Sequence, residues 1–483
     1  MTSPTTGTGL VEPAVDDPFV AHGSGLIGGP LGRWARRGGS WWTPVRVLLP
    51  LTVVVLMLGW WQKEPCLGHA WAHEYQYTRG CYSDVYALFF SEHLNEGAVP
   101  YMDHAVEYPV LTGGVMWVAS SIARAVSGAD YAPLWFFTVT AAILGACALV
   151  TVVATVRLSG RRQWDAALVA MAPVLLLHAF TNWDLLAAAF LATAMVAWAR
   201  RHPVAAGVLV GLGTAAKLYP ALLLVALLPL CLRARRMRAW GAASAAAAVT
   251  WLVVNAPVFL LWRDSWWTFF KLNKERPADW DSLWFQLGRY TEGATGGLGK
   301  VVHDVVAPVV PPGQSPASLN WLTIACVVAM TGLVLALAWW APRRPRVPQV
   351  AFLVVLAFLL GNKVWSPQYV IWYLPLAVLA LPRWRPLLLW QASEAVLLIT
   401  RFYYFVHSDT GNKGIYIGWY FAAVLVRDLV LIGLAALVVR DILRPEHDVV
   451  RRSGMDDPAG GVLTDEPDPA PVRRSRRRRP AYA

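Results

Sequence analysis

Between residues 131 and 156 the chain reads YAPLWFFTVTAAILGACALVTVVATV, with no Asp, Glu, Lys or Arg anywhere in the run. A hydrocarbon layer about 30 Å thick is crossed by roughly 20 apolar residues in a helix. This stretch therefore reads as a membrane span, and Val45–Trp61, Ala239–Leu261 and Trp419–Val439 read the same way. The whole chain agrees, with 57% apolar and 15% charged residues against about 45–50% and 25% in soluble domains. In lipid a single segment satisfies its own backbone only as a helix. The sequence lacks the strand-type alternation of a membrane barrel. The expected fold is an all-α polytopic membrane protein.

The net charge of +12 does not indicate a nucleic-acid partner, because the excess sits in short clusters between apolar spans. That is where positive-inside orientation places Lys and Arg. The clusters are Arg33/Arg36/Arg37, Arg157/Arg161/Arg162, Arg200/Arg201, Arg233/Arg235/Arg236/Arg238, Arg343/Arg344/Arg346, Arg383/Arg385 and Arg473–Arg479. With all of them on the cytoplasmic side, the chain threads a plasma (inner) membrane in one consistent path. Trp164–Phe180, Val204–Ala216, Ala239–Leu261, Val350–Leu360 and Leu387–Thr400 run outward, each followed by a returning span.

Parity requires an odd number of crossings between the first outside loop and Arg157, yet two apolar stretches lie there. Val110–Val126 is short and broken by Gly113, Gly114, Ser120, Ser121 and Arg124. It is expected to lie along the outer face, giving about 12 spans with both termini cytoplasmic; a thirteenth crossing there is the alternative. The expected organisation is a disordered cytoplasmic N-terminus over 1–43, a multispanning domain over 44–440, and a disordered cytoplasmic tail over 441–483. The Arg-rich end of that tail suits anionic lipid headgroups.

Cys147, Cys231 and Cys326 fall in apolar spans and read as small core residues. Cys66 and Cys81 share the first outside loop, where an oxidising compartment permits a disulfide, and the sequence leaves that bridge open. No metal-ligand spacing is visible, so neither a cofactor nor a metal site is expected, with a divalent ion left open.

Polar residues at membrane depth are costly and usually purposeful, and on this topology they collect at the outer face. The first loop carries Asp84-Val-Tyr86, then Asp103, His104 and Glu107-Tyr108-Pro109. Further on come Asn182-Trp183-Asp184, Lys217-Leu-Tyr219-Pro220, and Asn362-Lys363 followed by Ser366-Pro367-Gln368-Tyr369. A carboxylate such as Asp84 can take a proton from an attacking hydroxyl. Lys217 and Lys363 can hold a phosphate as compact charges, and a cationic site stabilises a departing phosphate. Group transfer from a phosphate-activated donor fits this set. A transporter or lipid flippase is the rival reading, but it predicts charges at the midplane and helices broken at matching places in two halves.

In this order the motifs Asp84-Val-Tyr86, Tyr108-Pro109, Lys217-Leu-Tyr219-Pro220 and Ser366-Pro367 resemble glycosyltransferase family 87, of the multispanning type C fold. The resemblance runs from about Val45 to Val439. It implies a polyprenyl-phosphate sugar donor and a glycolipid or glycan acceptor in the cell envelope, as in the actinobacterial mannosyl- and arabinofuranosyltransferases. It also implies two juxtamembrane helices in the first outside loop, matched by Ser83–Asn95 and Val110–Arg124. Asp84 becomes the expected catalytic base and Lys217 the expected donor-phosphate contact. Tyr86, Glu107, Tyr108, Asn182, Asp184, Tyr219, Lys363 and Gln368 complete the expected substrate-binding set.

Overall fold

The computed structural model describes residues 9–28, 41–68, 71, 74–128, 131–311, 313–411 and 413–465. Among them the secondary structure is helical, with one isolated bridge between Pro100 and His104. Five helices are long and apolar enough to cross a membrane: Pro44–Leu67, Ala132–Leu158, Met237–Leu261, Ala317–Trp340 and Ile417–Leu443. Shorter apolar helices, including Asp184–Ala199, Pro203–Ala216, Val347–Gly361 and Pro367–Ala380, fill the space between them. The chain is thus an all-α, multi-pass membrane protein.

Val370–Ala380 is apolar all round and buried along its whole length, as expected of a helix enclosed by other helices. Its Tyr373 is fully buried, as are Trp183, Trp198 and Trp390 elsewhere in the bundle. The stretch expected to span at Trp164–Phe180 is instead broken into a 3-10 turn at Gln163–Ala166 and helices at Ala167–Ala170 and Pro173–His178. Pro173 explains the last break, because its ring and missing N–H interrupt the preceding turn. Gly207 and Gly211, one helical turn apart, let Pro203–Ala216 press against Met237–Leu261. A Cβ on either would lie within 2.6 Å of a carbonyl oxygen, of Ala243 or Ala247. Close backbone approach at small residues is a main source of helix association in lipid.

Helices form at Asp84–Ser91 and Val110–Val126, the first shorter than the expected Ser83–Asn95. Cys66 and Cys81 are disulfide-bonded, which ties the segment leading to Asp84 back to the end of Pro44–Leu67. Within the same loop Glu92 is buried, with His104 Nε2 3.1 Å from its carboxylate. Loss of hydration pushes its carboxyl up to about 7. A raised carboxyl pKa favours the folded loop while Glu92 is protonated, and that contribution is lost as pH rises from the unfolded value through about 7. Hydrogen exchange over residues 92–107 is expected to be about tenfold faster at about pH 8 than at about pH 5, after correction for intrinsic rates. Glu92→Gln should flatten that dependence. An unchanged dependence in this variant would assign the effect to His104 or Glu107.

At the opposite end of the bundle, parts of the two terminal stretches expected to be disordered are described. Residues 1–8, 29–40 and 466–483, including Arg473–Arg479, lie outside the described residues; within 9–28 and 444–465 the chain forms helical segments. Pro18–Gly28 is helical; Asp16 bonds Arg162 at 2.6 Å and Asp17 accepts from the Trp384 amide. Beyond residue 444, Asp448 pairs with Arg346 at 2.8 Å, and Asp457 accepts from the Val347 amide. Trp198 Nε1 donates to Gly460 O. Composition suggested disorder; the anchoring comes from acidic residues placed against the basic loop clusters.

Candidate active site

Three connections assemble the site before any side chain in it is considered. The Asp84 amide donates to Thr181 O at 2.8 Å and Ser83 Oγ to Phe180 O at 2.7 Å, so the start of Asp84–Ser91 is strapped to residues 180–181. Thr112 Oγ1 donates to Ala216 O at 2.8 Å, linking Val110–Val126 to the residue before Lys217. Trp372 Nε1 donates to Asp184 Oδ1 at 2.5 Å, joining Val370–Ala380 to the start of Asp184–Ala199.

Around these joints lies a cavity of about 930 Å³. Asp84 is half-buried in its wall. Its Oδ1 accepts from Tyr82 Oη at 2.6 Å, and its Oδ2 from Asn182 Nδ2 at 2.7 Å and Gln368 Nε2 at 3.3 Å. All three donors are neutral, and no backbone amide of its own helix is among its partners in the described residues. Asn182 also donates to Tyr108 Oη at 2.6 Å. The Asp84 charge, then burial, raise the Tyr82 hydroxyl well above its ordinary value, so Tyr82 stays a donor. Glu107 lines the same cavity, its carboxyl raised by loss of hydration and by Asp84.

Lys217 faces the cavity from the other side. Its ammonium bonds Asp184 at 2.7 Å and lies 5.3 Å from the Tyr369 ring centroid, 5.8 Å from Trp372 and 5.9 Å from Tyr108. Cations are attracted to such ring faces. Tyr219 and Tyr369 both stack on Trp372, at 4.3 and 3.9 Å.

The expected residues therefore fall into groups. Asp84, Asn182, Tyr108 and Gln368 form one hydrogen-bonded unit. Lys217, Asp184 and Tyr219 gather around Trp372, which was not among the expected residues, with Asp184 behind Lys217 and off the cavity surface. Lys363 lines the cavity, but its ammonium is taken up by Lys274 O, Arg276 O and Ser315 Oγ; it holds a loop and has no N–H left for a ligand. Tyr86 points away, its ring edge-on to Phe90 and tilted against Trp71. Two residues past Asp84 on a helix, it faces nearly the opposite side. Sequence reasoning missed Lys63, His178, Arg276 and Arg401, which all line the cavity. Arg276 pairs with Asp279 at 3.3 Å and lies in a long loop without a motif. The other three sit on helices. A charge or imidazole near the outer end of a span was the available signal. Among the described residues, no cluster of three or more His, Cys, Asp or Glu is placed to hold a metal ion.

A multi-pass helical bundle with a carboxylate and cations around a large cavity has the form of a membrane-embedded group-transfer enzyme. Residues 108–367 match the model of glycosyltransferase family 87; the chain belongs to this family and is a membrane glycosyltransferase. The match includes Tyr108, Asn182, Lys217 and Lys363; Gln368 is the next residue after it, and Asp84 lies upstream of its start. A comparison with curated proteins gives no match.

Proposed function

We propose that this glycosyltransferase moves a sugar, mannose by preference, from a polyprenyl-phosphate donor to a hydroxyl of a cell-envelope glycolipid or polysaccharide. Transfer takes place at the outer face of the plasma membrane, with inversion. An arabinofuranosyl donor of the same type is the alternative. The observation that carries the reading is Asp84, a carboxylate held by three neutral donors and open to a cavity that Lys217 also faces. In a single displacement the acceptor oxygen bonds to the anomeric carbon and the carbon–phosphate oxygen bond breaks. Asp84 receives the acceptor's proton, and the electron pair leaves on the polyprenyl phosphate. Lys217 and Arg276 stand where that charge develops. The Tyr82, Asn182 and Gln368 bonds fix the carboxylate's direction, and Asp184 with Trp372 fixes the ammonium's.

Purified full-length protein offered a panel of polyprenyl-phosphate sugars and alkyl glycoside acceptors tests this directly. Transfer from the mannosyl donor, releasing polyprenyl phosphate, is the expected result. Transfer only from the arabinofuranosyl donor would move the preference within the family, and transfer only from nucleotide sugars would overturn the donor class.

A further inference from the structure

The long connection between Met237–Leu261 and Ala317–Trp340 carries two short helices that take no part in the cavity, Leu283–Tyr290 and Gly297–Val306. The second reads GLGKVVHDVV. At about 100° per residue it divides into three faces. Leu298, Val301 and Val305 share one face and are 79%, 60% and 68% exposed. Val306 lies on the next, packed with Trp284, Phe285, Val309, Val310 and Leu319. Lys300 and Asp304 occupy the third, paired with each other at 2.6 Å and half exposed. The helix is thus docked on one side and polar on another, and its exposed apolar row has no cover among the described residues.

The place of the helix in the bundle decides what covers that row. Leu319 stands at the start of Ala317–Trp340, and Tyr290 stacks at 4.4 Å on Phe421, near the start of Ile417–Leu443. Both of those helices are long and apolar enough to cross a membrane. Of the first, only Leu319, Thr323 and Ala338 are buried, so nearly its whole surface faces lipid. Close to the same two ends Trp321, Tyr416 and Trp419 are 70%, 72% and 69% exposed. Aromatic side chains at span ends mark the boundary between hydrocarbon and headgroups. The apolar row therefore continues the lipid-facing surface of two spans at the height of their aromatic belt. Lys300 and Asp304 cancel each other, so the helix carries no excess charge to draw an oppositely charged partner. We infer that Gly297–Val306 lies in the headgroup region of the adjoining leaflet, with Leu298, Val301 and Val305 among the acyl chains and Lys300 and Asp304 in water. Its partner is a lipid surface, held through apolar burial and indifferent to headgroup charge. Leu283–Tyr290 joins this anchor to the site, because Gln286 Nε2 donates to Trp280 O at 2.6 Å and Trp280 lines the cavity.

Spin-label accessibility on the full-length protein tests this without relying on turnover. Cys147, Cys231 and Cys326 are replaced by Ala and the Cys66–Cys81 bridge is kept. Single labels are then placed through Leu298→Cys, Lys300→Cys, Val301→Cys, Asp304→Cys and Val305→Cys, all at exposed positions, so that the packing around Val306 and Leu319 stays intact. The protein is held in nanodiscs of phosphatidylcholine alone. Oxygen concentrates in hydrocarbon and a neutral nickel chelate in water. Labels at 298, 301 and 305 should meet oxygen in preference to the chelate, and the order should invert at 300 and 304. Replacing part of the lipid with phosphatidylglycerol should leave the pattern unchanged. Five labels that all meet the chelate would put the row in water and overturn the inference. An apolar trio shielded from both reagents would mean that a second copy or another protein covers it, which overturns it equally. A lipid signal that appears only with phosphatidylglycerol would make charge the cause of docking and rule out the apolar anchor.

Discussion

Asp84→Asn should lower turnover by about 10²–10⁴-fold, the usual contribution of a positioned general base, with folding and donor binding close to the parent's. The hydrogen bonds around Asp84 explain why this substitution is clean. The asparagine oxygen can keep the bonds from Asn182 and Gln368, and its NH₂ can donate to the Tyr82 hydroxyl, which is also an acceptor. The hydrogen-bond frame stays, while the negative charge and with it the capacity to take a proton are removed. Steady-state kinetics with a saturating mannosyl donor read the effect. Transfer near the parent rate would make Asp84 structural and pass the role to Glu107, the other carboxylate of the first loop that lines the cavity. Asp103 is spent on the Val99 amide at 2.9 Å and is not in the cavity wall.

Lys217→Ala should cost more than a substrate contact. Asp184 is 1% exposed and its only cationic partner among the described residues is Lys217, at 2.7 Å. Removing one member of a buried pair typically destabilises by about 3–5 kcal/mol, because the other charge is left without a partner. The variant is expected to melt at a lower temperature and to lose donor affinity together. Adding Asp184→Asn removes the stranded charge. The double variant should recover most of the thermal stability while donor KM stays high. Full recovery of both would make Lys217 a counter-ion for Asp184 and nothing more.

The sequence made the helical membrane architecture readable, because uncharged runs such as 131–156 admit no soluble alternative. It also pointed to the polar steps at Asp84, Tyr108, Asn182, Lys217 and Gln368, each a break between apolar stretches. What it hid was pairing. Lys217 and Lys363 look equivalent as isolated cations at span ends. In the fold one is held by a buried carboxylate under three aromatic rings, and the other is consumed by loop carbonyls. Lys63 and Arg401 were invisible for a related reason. Within a span, snorkelling to the interface and lining a cavity look the same in one dimension. Tyr86 failed on helical phase: adjacency in a motif is not adjacency in space.

The folded segment after residue 444 bears on how long the working unit is. A protein ending at residue 443 would retain every span and every residue of the cavity. It would also leave Arg346, 1% exposed, without Asp448 and would uncover Trp198 where Gly460 and Gly461 now rest against it. The minimal autonomous piece is therefore longer than its lipid-embedded part. It includes at least the contacts of Asp448, Asp457 and Gly460, which close the basic side of the bundle.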